Sequence, residues 1–414
     1  MNAEIVVIGS GAFGSSVAYH LAAMGQRDVV LLDKFEIASQ TSPRAAGLTQ
    51  QIRQIPEMTR LAMMAVQKIT QFQEETGEPM GYFQSGSVKI ARTERDLRQI
   101  DEEITEGRGV GLDINPLDAD GLRELTPFAS PEGVLGMWFT PSDLYLEPVQ
   151  IPRGYANAAA SRGVRVIPST GVTGILRNGD QVAGVETTAG PISTRIVIDA
   201  AGAWARAVAK EAGINVPVQP IRHQLMITEP IYGVQTCQPI CRVIDANVYI
   251  RPEKGGLMLG GYEPDPMPID AATLPDSFQI SDMPLDLGTL SGFADRVKVQ
   301  FPVFQGAKIR EFRGGLPTMT ADGNHIVGSV PGLEGFYTAT GCCVGGLSIS
   351  PAIGQCLAEL ILTGTPSLPL DVLDIRRFGA ELESDEAILA AGMHAYSHSY
   401  ATPKRAGVFG QTSQ

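Results

Sequence analysis

Residues 5–25, IVVIGSGAFGSSVAYHLAAMG, begin with four β-branched apolar residues, break at glycines, and continue with Val17, Leu21 and Met24 at helical spacing. An unbroken apolar run fits a strand buried on both faces, and a three-to-four spacing fits a helix with one buried side. A second apolar run, VVLLDK, ends in Asp33. The pattern predicts strand, glycine turn, helix, strand. Leu61, Met64, Ile69 and Phe72 then share a helical face, SVKIA (Ser87–Ala91) reads as a strand, and TERDLRQIDEEI reads as an exposed helix capped by Thr93 with Leu97, Ile100 and Ile104 inward. Near residue 146 the first rhythm resumes: a small-residue helix, PRGYANAAASRG, then strands in VRVI, GVTGIL, QVAGVET and RIVIDAAG, and a helix from about Ala203. Residues 221–311 are again strand-rich (RHQLMITEP, VYIRP, GLMLGGYE), with a helix near 286–299. Last comes the strand GFYTATG, running into GGLSISPAIGQCLAELIL, a helix with Ile353, Leu357 and Leu360 on its inner face.

Two rhythms interleave, and 414 residues are many for one hydrophobic core. The expected fold class is therefore α/β: a discontinuous Rossmann-like dinucleotide domain of the glutathione-reductase type (1–85, 146–220 and 312–380). It interleaves with a mostly antiparallel α+β substrate domain (86–145 and 221–311), with ligand held between the two. Residues 381–414 read as a polar tail ending in disorder.

Charge narrows the function. A formal net charge of −13 argues against nucleic acid and anionic membranes, so an anionic substrate needs locally placed arginines. No run reaches about 18 apolar residues, and the N-terminus lacks a basic segment, so neither membrane span nor signal peptide is expected and the location is read as cytoplasmic. Five cysteines without zinc spacing suggest no disulfide scaffold; Cys342 and Cys343 read as reduced thiols. His394 and His398 lie four apart without a supporting carboxylate pattern, so no metal is expected.

Gly9, Gly11 and Gly14 fit the dinucleotide fingerprint: a tight turn, close approach of backbone to a pyrophosphate, and packing of helix on strand. Ala12 and Phe13 begin the helix whose free N–H groups receive phosphate. Asp33, with Lys34 beside it, stands where an acid accepts bonds from the adenosine ribose and disfavours a 2'-phosphate.

Beyond GSGAFG and LLDK, four ordered segments carry a resemblance across nearly the whole chain: SPRAAGL (42–48), VIDAAGAWA (197–205), GGLPTMTADGNHIVG (314–328) and TGCCVGGLSISPAIG (340–354). Together they resemble the D-amino-acid oxidase superfamily of FAD-dependent oxidoreductases, in the branch of glycine oxidase, monomeric sarcosine oxidase and dimethylglycine dehydrogenase. The resemblance implies FAD with its flavin between two domains. It assigns cofactor contact to Ser42, Arg44, Ala45, Ala46, Gly47, Leu48, Val172, Ala201, Gly202, Trp204, Leu316, Gly345, Gly346, Leu347 and Ser348. The helix starting at Gly346 would direct its N-terminal dipole to the flavin's pyrimidine end, where reduction places negative charge.

Departures from the family matter equally. Arg44 occupies the position of the histidine that the dehydrogenases bond to flavin, and Gly315 that of the tethering cysteine of sarcosine oxidases, so FAD is expected to be non-covalent. The family's carboxylate anchors align with Pro317 and Ser348, leaving Arg53, Arg251 and Arg313 as candidate cations; strict register places Gln51, not Arg53, opposite the sarcosine oxidase arginine. Tyr249 matches an active-site tyrosine, His223 is a further candidate for substrate or flavin contact, and Tyr262 and His325 are weaker ones. The implied reaction is oxidation of the C–N bond of a small carboxylate-bearing secondary or tertiary amine to an imine. Sarcosine, dimethylglycine or an iminodiacetate-like N-substituted glycine would serve. Met258 aligns with the lysine that activates oxygen in sarcosine oxidases, yet a chain of this length resembles a self-sufficient oxidase, so oxygen is the expected acceptor and a partner protein or quinone the alternative. The chain is expected to be a monomer or small homo-oligomer.

Overall fold

The computed structural model describes residues 1–53 and 55–400. Its first sheet has six strands, in the order Ile326–Ser329, Phe336–Thr340, Ile196–Asp199, Ile5–Ile8, Val29–Leu32 and Arg165–Ile167. Every neighbouring pair is parallel except the first, an antiparallel hairpin at the edge. The apolar runs exist because both faces are covered. Ile5, Val7, Val29 and Leu31 pack against the helices Ala12–Ala23, Gln150–Ser161 and Gly346–Thr363, while Val6, Ile8, Val30 and Leu32 meet the three-stranded sheet through Val182, Val185 and Ile192. Sequence-distant helices thus share one core through small faces: a Cβ on Gly354 would collide with Ser16.

The second sheet has eight strands, ordered Ile309–Gly315, His223–Thr228, Gly256–Gly261, Val248–Glu253, Ile240–Val243, Ser87–Ala91, Gly136–Thr140 and Asn115–Pro116. Only the contact of Ile240–Val243 with Ser87–Ala91 is parallel. One row of paired residues, Arg313, Leu225, Gly260, Tyr249, Arg242 and Lys89, crosses six strands. Because side chains alternate along strands, this register puts the row on one face, with His223 two positions from Leu225 on the same side.

Three expectations change. The strand Ile309–Gly315 lies wholly in the antiparallel sheet, past the boundary expected at 312. Within the supposed polar tail, Asp385–Ser397 is a helix: Ser384 caps it by accepting a bond from the Ala387 amide, and Ile388, Ala395 and Tyr396 are buried. Residues 401–414 lie outside the described residues. Finally, Gly346–Thr363 is 18 residues long with mean hydropathy 1.3, long and apolar enough by composition to cross a membrane, contrary to expectation. It is two-thirds buried, and its Ile353, Leu357 and Ala358 share a core with Val17 and Leu21 of Ala12–Ala23 and Leu61 and Ala65 of Pro56–Thr70.

Candidate active site and cofactor cavity

A cavity of about 360 Å³ runs from the carboxyl ends of the parallel strands, at Gly9, Asp33 and Ala200, to the face of the antiparallel sheet at Leu225 and Tyr249. Ligands of open α/β sheets bind at those strand ends. At this end the walls are largely backbone. Gly9 has φ +99°, and a Cβ there would stand 2.5 Å from the Ala200 carbonyl oxygen; a Cβ on Gly14 would collide with the Gly9 carbonyl. Asp33 closes the turn: Oδ2 accepts from the Ser10 amide (2.7 Å) and hydroxyl (2.6 Å), and Oδ1 from the Phe35 amide (2.8 Å). Burial raises its carboxyl pKa, opposed by those bonds.

Two helices of 12 and 18 residues begin on this cavity, at Ala12 and Gly346, and neither has a side-chain cap on its N-cap residue. Ser42 Oγ accepts from the Ala12 amide at 3.0 Å. Uncapped N-termini carry N–H groups and a positive dipole end that suit phosphate and anionic ring edges. Before the second helix, Cys343 and Val344 adopt φ +45° and +62°, a left-handed pair uncommon for side-chain-bearing residues and costly for the branched Val344. Glycine cradle, acid and two helix ends together fit a dinucleotide that extends to a second ring system.

All the residues expected at the cofactor line this cavity except Gly14, which acts from behind by packing helix on strand. Lys34 also pairs with Asp276 at 2.9 Å. Arg44 Nε donates to the Gly314 carbonyl at 2.6 Å. Cys342 and Cys343 both lie on the wall, neither in a disulfide, and burial raises the Cys342 pKa.

The antiparallel-sheet end is made of side chains. His223 and Tyr249 line the cavity, joined by a 2.9 Å bond from His223 Nε2 to the Tyr249 hydroxyl, and Tyr262, Tyr400 and Arg53 complete the wall. Burial lowers the His223 pKa to about 3, so its imidazole is neutral, and pushes the Tyr249 phenol up. Gly260, directly across from Tyr249, leaves room for its ring. Burial and the Arg242 charge lower the Arg53 pKa. Among the described residues no carboxylate pairs with Arg53, and its Nε has no partner.

Two of the three candidate cations are corrected. Arg251 is 1% exposed and does not reach the cavity: it binds Glu253 (2.6 Å), the Ala46 carbonyl (2.7 Å) and the Tyr145 ring. Arg313 is also off the cavity and pairs with Glu311 at 2.7 Å. Each is neutralised by an acid two residues away on its own strand. His325 faces a smaller neighbouring cavity of about 70 Å³ that shares Arg53, Tyr262, Cys343 and Tyr400 with the first. Its Nδ1 donates to the Gly341 carbonyl at 2.7 Å, and burial lowers its pKa to about 4. His394 and His398 stack on the distal helix, and no group of metal-ligating residues occurs among the described residues.

Sequence reading missed Arg242, Tyr396 and Tyr400. Arg242 is fully buried; its Nη2 donates to the Thr49 carbonyl at 2.5 Å, and among the described residues Nε and Nη1 have no partner. An arginine inside the apolar strand ICRV was the available signal, since arginine is almost never fully buried without a partner. Nearby Asp143, also fully buried, accepts from Thr49, Gln51 and Ser87. Tyr396 and Tyr400 reach the site only through the docking of the last helix.

The family model described as DAO, FAD dependent oxidoreductase, matches residues 4–360. Human mitochondrial sarcosine dehydrogenase is 32% identical over 409 residues, spanning 96% of this chain and 44% of that protein. The 4-methylaminobutanoate oxidase (formaldehyde-forming) of Paenarthrobacter nicotinovorans is 29% identical, spanning 96% and 48%. The chain therefore covers less than half the length of these relatives. Among solved structures, L-proline dehydrogenase from P. horikoshii superposes with a TM-score of 0.81 at 25% identity, covering 91% of this chain and 98% of that one. With glycine cradle, helix ends and family match in agreement, the chain belongs to the DAO family of FAD-dependent oxidoreductases.

Proposed function

We propose that this protein oxidises the C–N bond of a small carboxylate-bearing secondary or tertiary amine, of the sarcosine, dimethylglycine or iminodiacetate type. The imine formed would hydrolyse to an amine plus an aldehyde or glyoxylate. When bound, FAD supplies the two-electron acceptor. One observation carries the reading: Arg53 is a cation on the cavity wall, beside Tyr249 and Tyr262, that no carboxylate of the described residues neutralises. A half-buried charge with no acid partner among the described residues favours an anion beside it, so the site accommodates a substrate carboxylate. Arg242 adds a second positive charge behind Arg53, and Asp143 offsets one of the two, leaving a net need for one carboxylate.

Chemistry at the amine asks little of the protein. Neutral His223 and high-pKa Tyr249 are poor bases, so this pair orients the substrate while the reacting nitrogen is used in its unprotonated form. The names of the relatives, sarcosine dehydrogenase and 4-methylaminobutanoate oxidase, both denote enzymes of N-methyl amino acids, which supports this substrate class. FAD is held without a covalent link: Arg44 is engaged by the Gly314 carbonyl, and Gly315 offers no side chain.

The test is anaerobic mixing of the yellow protein with a panel of amines. Bleaching by N-methyl or N-carboxymethyl amino acids, and not by the corresponding amines without a carboxylate, is expected; equal bleaching by both sets defeats the reading. Acid precipitation should leave the flavin in the supernatant.

Oxygen as acceptor, giving hydrogen peroxide, is the first reading. Transfer to a partner protein or quinone is the second, and Met258 favours it: this buried residue packs with Leu225, Ile227 and Ala46, so no cation stands where sarcosine oxidases carry their oxygen-activating lysine. Slow reoxidation by air after fast reduction by substrate distinguishes the second from the first.

A further inference from the structure

The last helix contributes a group whose role is set by hydrogen-bond bookkeeping. His223 is 8% exposed and bonded at both ring nitrogens: Nδ1 to the Tyr396 hydroxyl at 2.8 Å, Nε2 to the Tyr249 hydroxyl at 2.9 Å. A neutral imidazole has one donor and one acceptor nitrogen, so one tyrosine donates to it and the other accepts from it. Neutrality follows from burial, which lowers the histidine pKa to about 3.

Two arrangements satisfy the ring. In the first, Nδ1 carries the hydrogen, Tyr249 donates to Nε2, and the Tyr396 hydrogen must find another acceptor. Tyr396 is fully buried, and among the described residues its hydroxyl has no hydrogen-bond partner besides His223 Nδ1. The nearby Glu263 carboxylate is held by Arg222 at 3.2 and 2.7 Å. That arrangement strands a buried O–H, which costs more than a bond to it returns. In the second, Tyr396 donates to Nδ1, Nε2–H donates to Tyr249, and the Tyr249 hydrogen is free to point into the cavity that Tyr249 lines. Every buried donor then has an acceptor, provided the cavity supplies one.

We infer that Tyr396 is a positioning residue that holds His223 in its Nε2–H form and thereby makes Tyr249 a hydrogen-bond donor to the anionic group of the substrate. The inference rests on the proposed binding of a carboxylate beside Arg53 and extends it to a second anchor. It gives the helix Asp385–Ser397 a part in substrate recognition through a residue that does not itself line the cavity.

The chain has five histidines, so the tautomer can be read directly in holoenzyme labelled with ¹⁵N-histidine, with His223→Gln assigning the signal. His223 protonated at Nε2 supports the inference; protonation at Nδ1 overturns it, and this measurement needs no variant of Tyr396. The second readout is a thermodynamic cycle using methoxyacetate, a carboxylate with ether oxygen in place of the amine, titrated against the flavin absorption. Tyr249→Phe and Tyr396→Phe should each weaken binding about 10- to 100-fold, the effect of a lost hydrogen bond to a charged group. The double variant should be no weaker than Tyr249→Phe alone, because Tyr396 acts only through Tyr249. Additive losses would mean an independent structural effect and overturn the inference. Its failure is distinct from failure of the anion site: if methoxyacetate does not perturb wild-type flavin, or Arg53→Ala binds it unchanged, the anion site is wrong whatever the tautomer.

Discussion

The two ends of the cavity are built from different materials. At the nucleotide end the working surface is backbone: Gly9 and Gly14 admit no Cβ, Ala12 and Gly346 present helix N-termini, and Asp33 is tied into the turn by Ser10 and Phe35. At the other end it is side chains from separate strands and a distant helix, with Arg53, His223, Tyr249, Tyr262 and Tyr400 meeting in one wall. A backbone surface fits one ligand shape and tolerates few replacements, whereas a side-chain surface can be retuned one residue at a time. The first suits a constant cofactor and the second a variable substrate.

The contrast breaks most visibly by adding one side chain at the backbone end. In Gly14→Val the new carbons collide with the Gly9 carbonyl, and neither strand nor helix can move without opening the core around Val7 and Val17. Overpacking costs about 1–3 kcal/mol where a core can relax, and more where it cannot. The expected product is colourless or unfolded, checked by flavin absorbance and circular dichroism; a yellow, folded Gly14→Val protein would refute the backbone account.

The opposite operation, deletion at the side-chain end, should spare the cofactor. Arg53→Ala is expected to keep FAD and lose about 3–5 kcal/mol of transition-state stabilisation, a loss of several hundred-fold or more in kcat/KM, if its partner is the substrate carboxylate. Arg251→Ala should behave differently. It leaves Glu253 buried without its 2.6 Å partner, so the melting temperature should fall while any surviving enzyme keeps its affinity for substrate. Interchanged phenotypes would reassign the two arginines.

This division explains what was legible in the sequence. Glycine spacing encodes backbone geometry locally, so the turn at Gly9–Gly11, the two helix starts and the acid at residue 33 could be read within short windows, and nearly every residue named from them meets at one cavity. The side-chain end depends on register. Arg242, Tyr249 and Lys89 are neighbours because three strands align, and nothing within VYIRP reveals that Arg251, two residues along from Tyr249, is consumed by Glu253. Tyr396 lay in a stretch read as polar tail, because a helix with Ala, Gly and His among its apolar residues gives a weak pattern until its docking partners are known. The mostly buried helix Gly346–Thr363 shows the converse: its length and composition alone would let it cross a membrane, yet the inner face read at helical spacing, Ile353, Leu357 and Leu360, packs in the core.

A buried acid at the carboxyl end of a central strand of the parallel sheet sharpens the comparison through stability. Asp199 is fully buried; among the described residues its carboxylate accepts only the Ala201 amide (3.1 Å), at Oδ1, and has no partner at Oδ2, and burial pushes its pKa up to about 8. A carboxyl whose folded pKa is raised favours the folded state fully below its unfolded pKa near 4, and that contribution is lost as pH rises through 8. Asp199→Asn removes the penalty. In urea unfolding at fixed excess FAD, the variant should match wild type near pH 4 and be more stable by about 2–4 kcal/mol at neutral pH, the gap widening until pH 8. A gap that is constant with pH would place the effect in packing and not in titration.

The smallest expected effect lies at the seam between the two kinds of surface, at Asp33. Its side chain is a ligand-facing group on the cavity wall and also an internal strut accepting three bonds. Asp33→Asn keeps the size but replaces one acceptor oxygen with a donor and removes the charge that would hold ribose hydroxyls. Loss of charge-assisted bonds predicts FAD binding weaker by about 1–3 kcal/mol, or roughly 5- to 150-fold in Kd, with kcat restored at saturating FAD because the residue lies at the nucleotide end of the cavity. Titration of apoprotein by flavin fluorescence measures the first quantity, and turnover against FAD concentration measures the second. If kcat stayed low in a folded, FAD-saturated variant, Asp33 would be acting on the side-chain end as well, and the separation of the two ends would fail at the residue where it is most exposed to test.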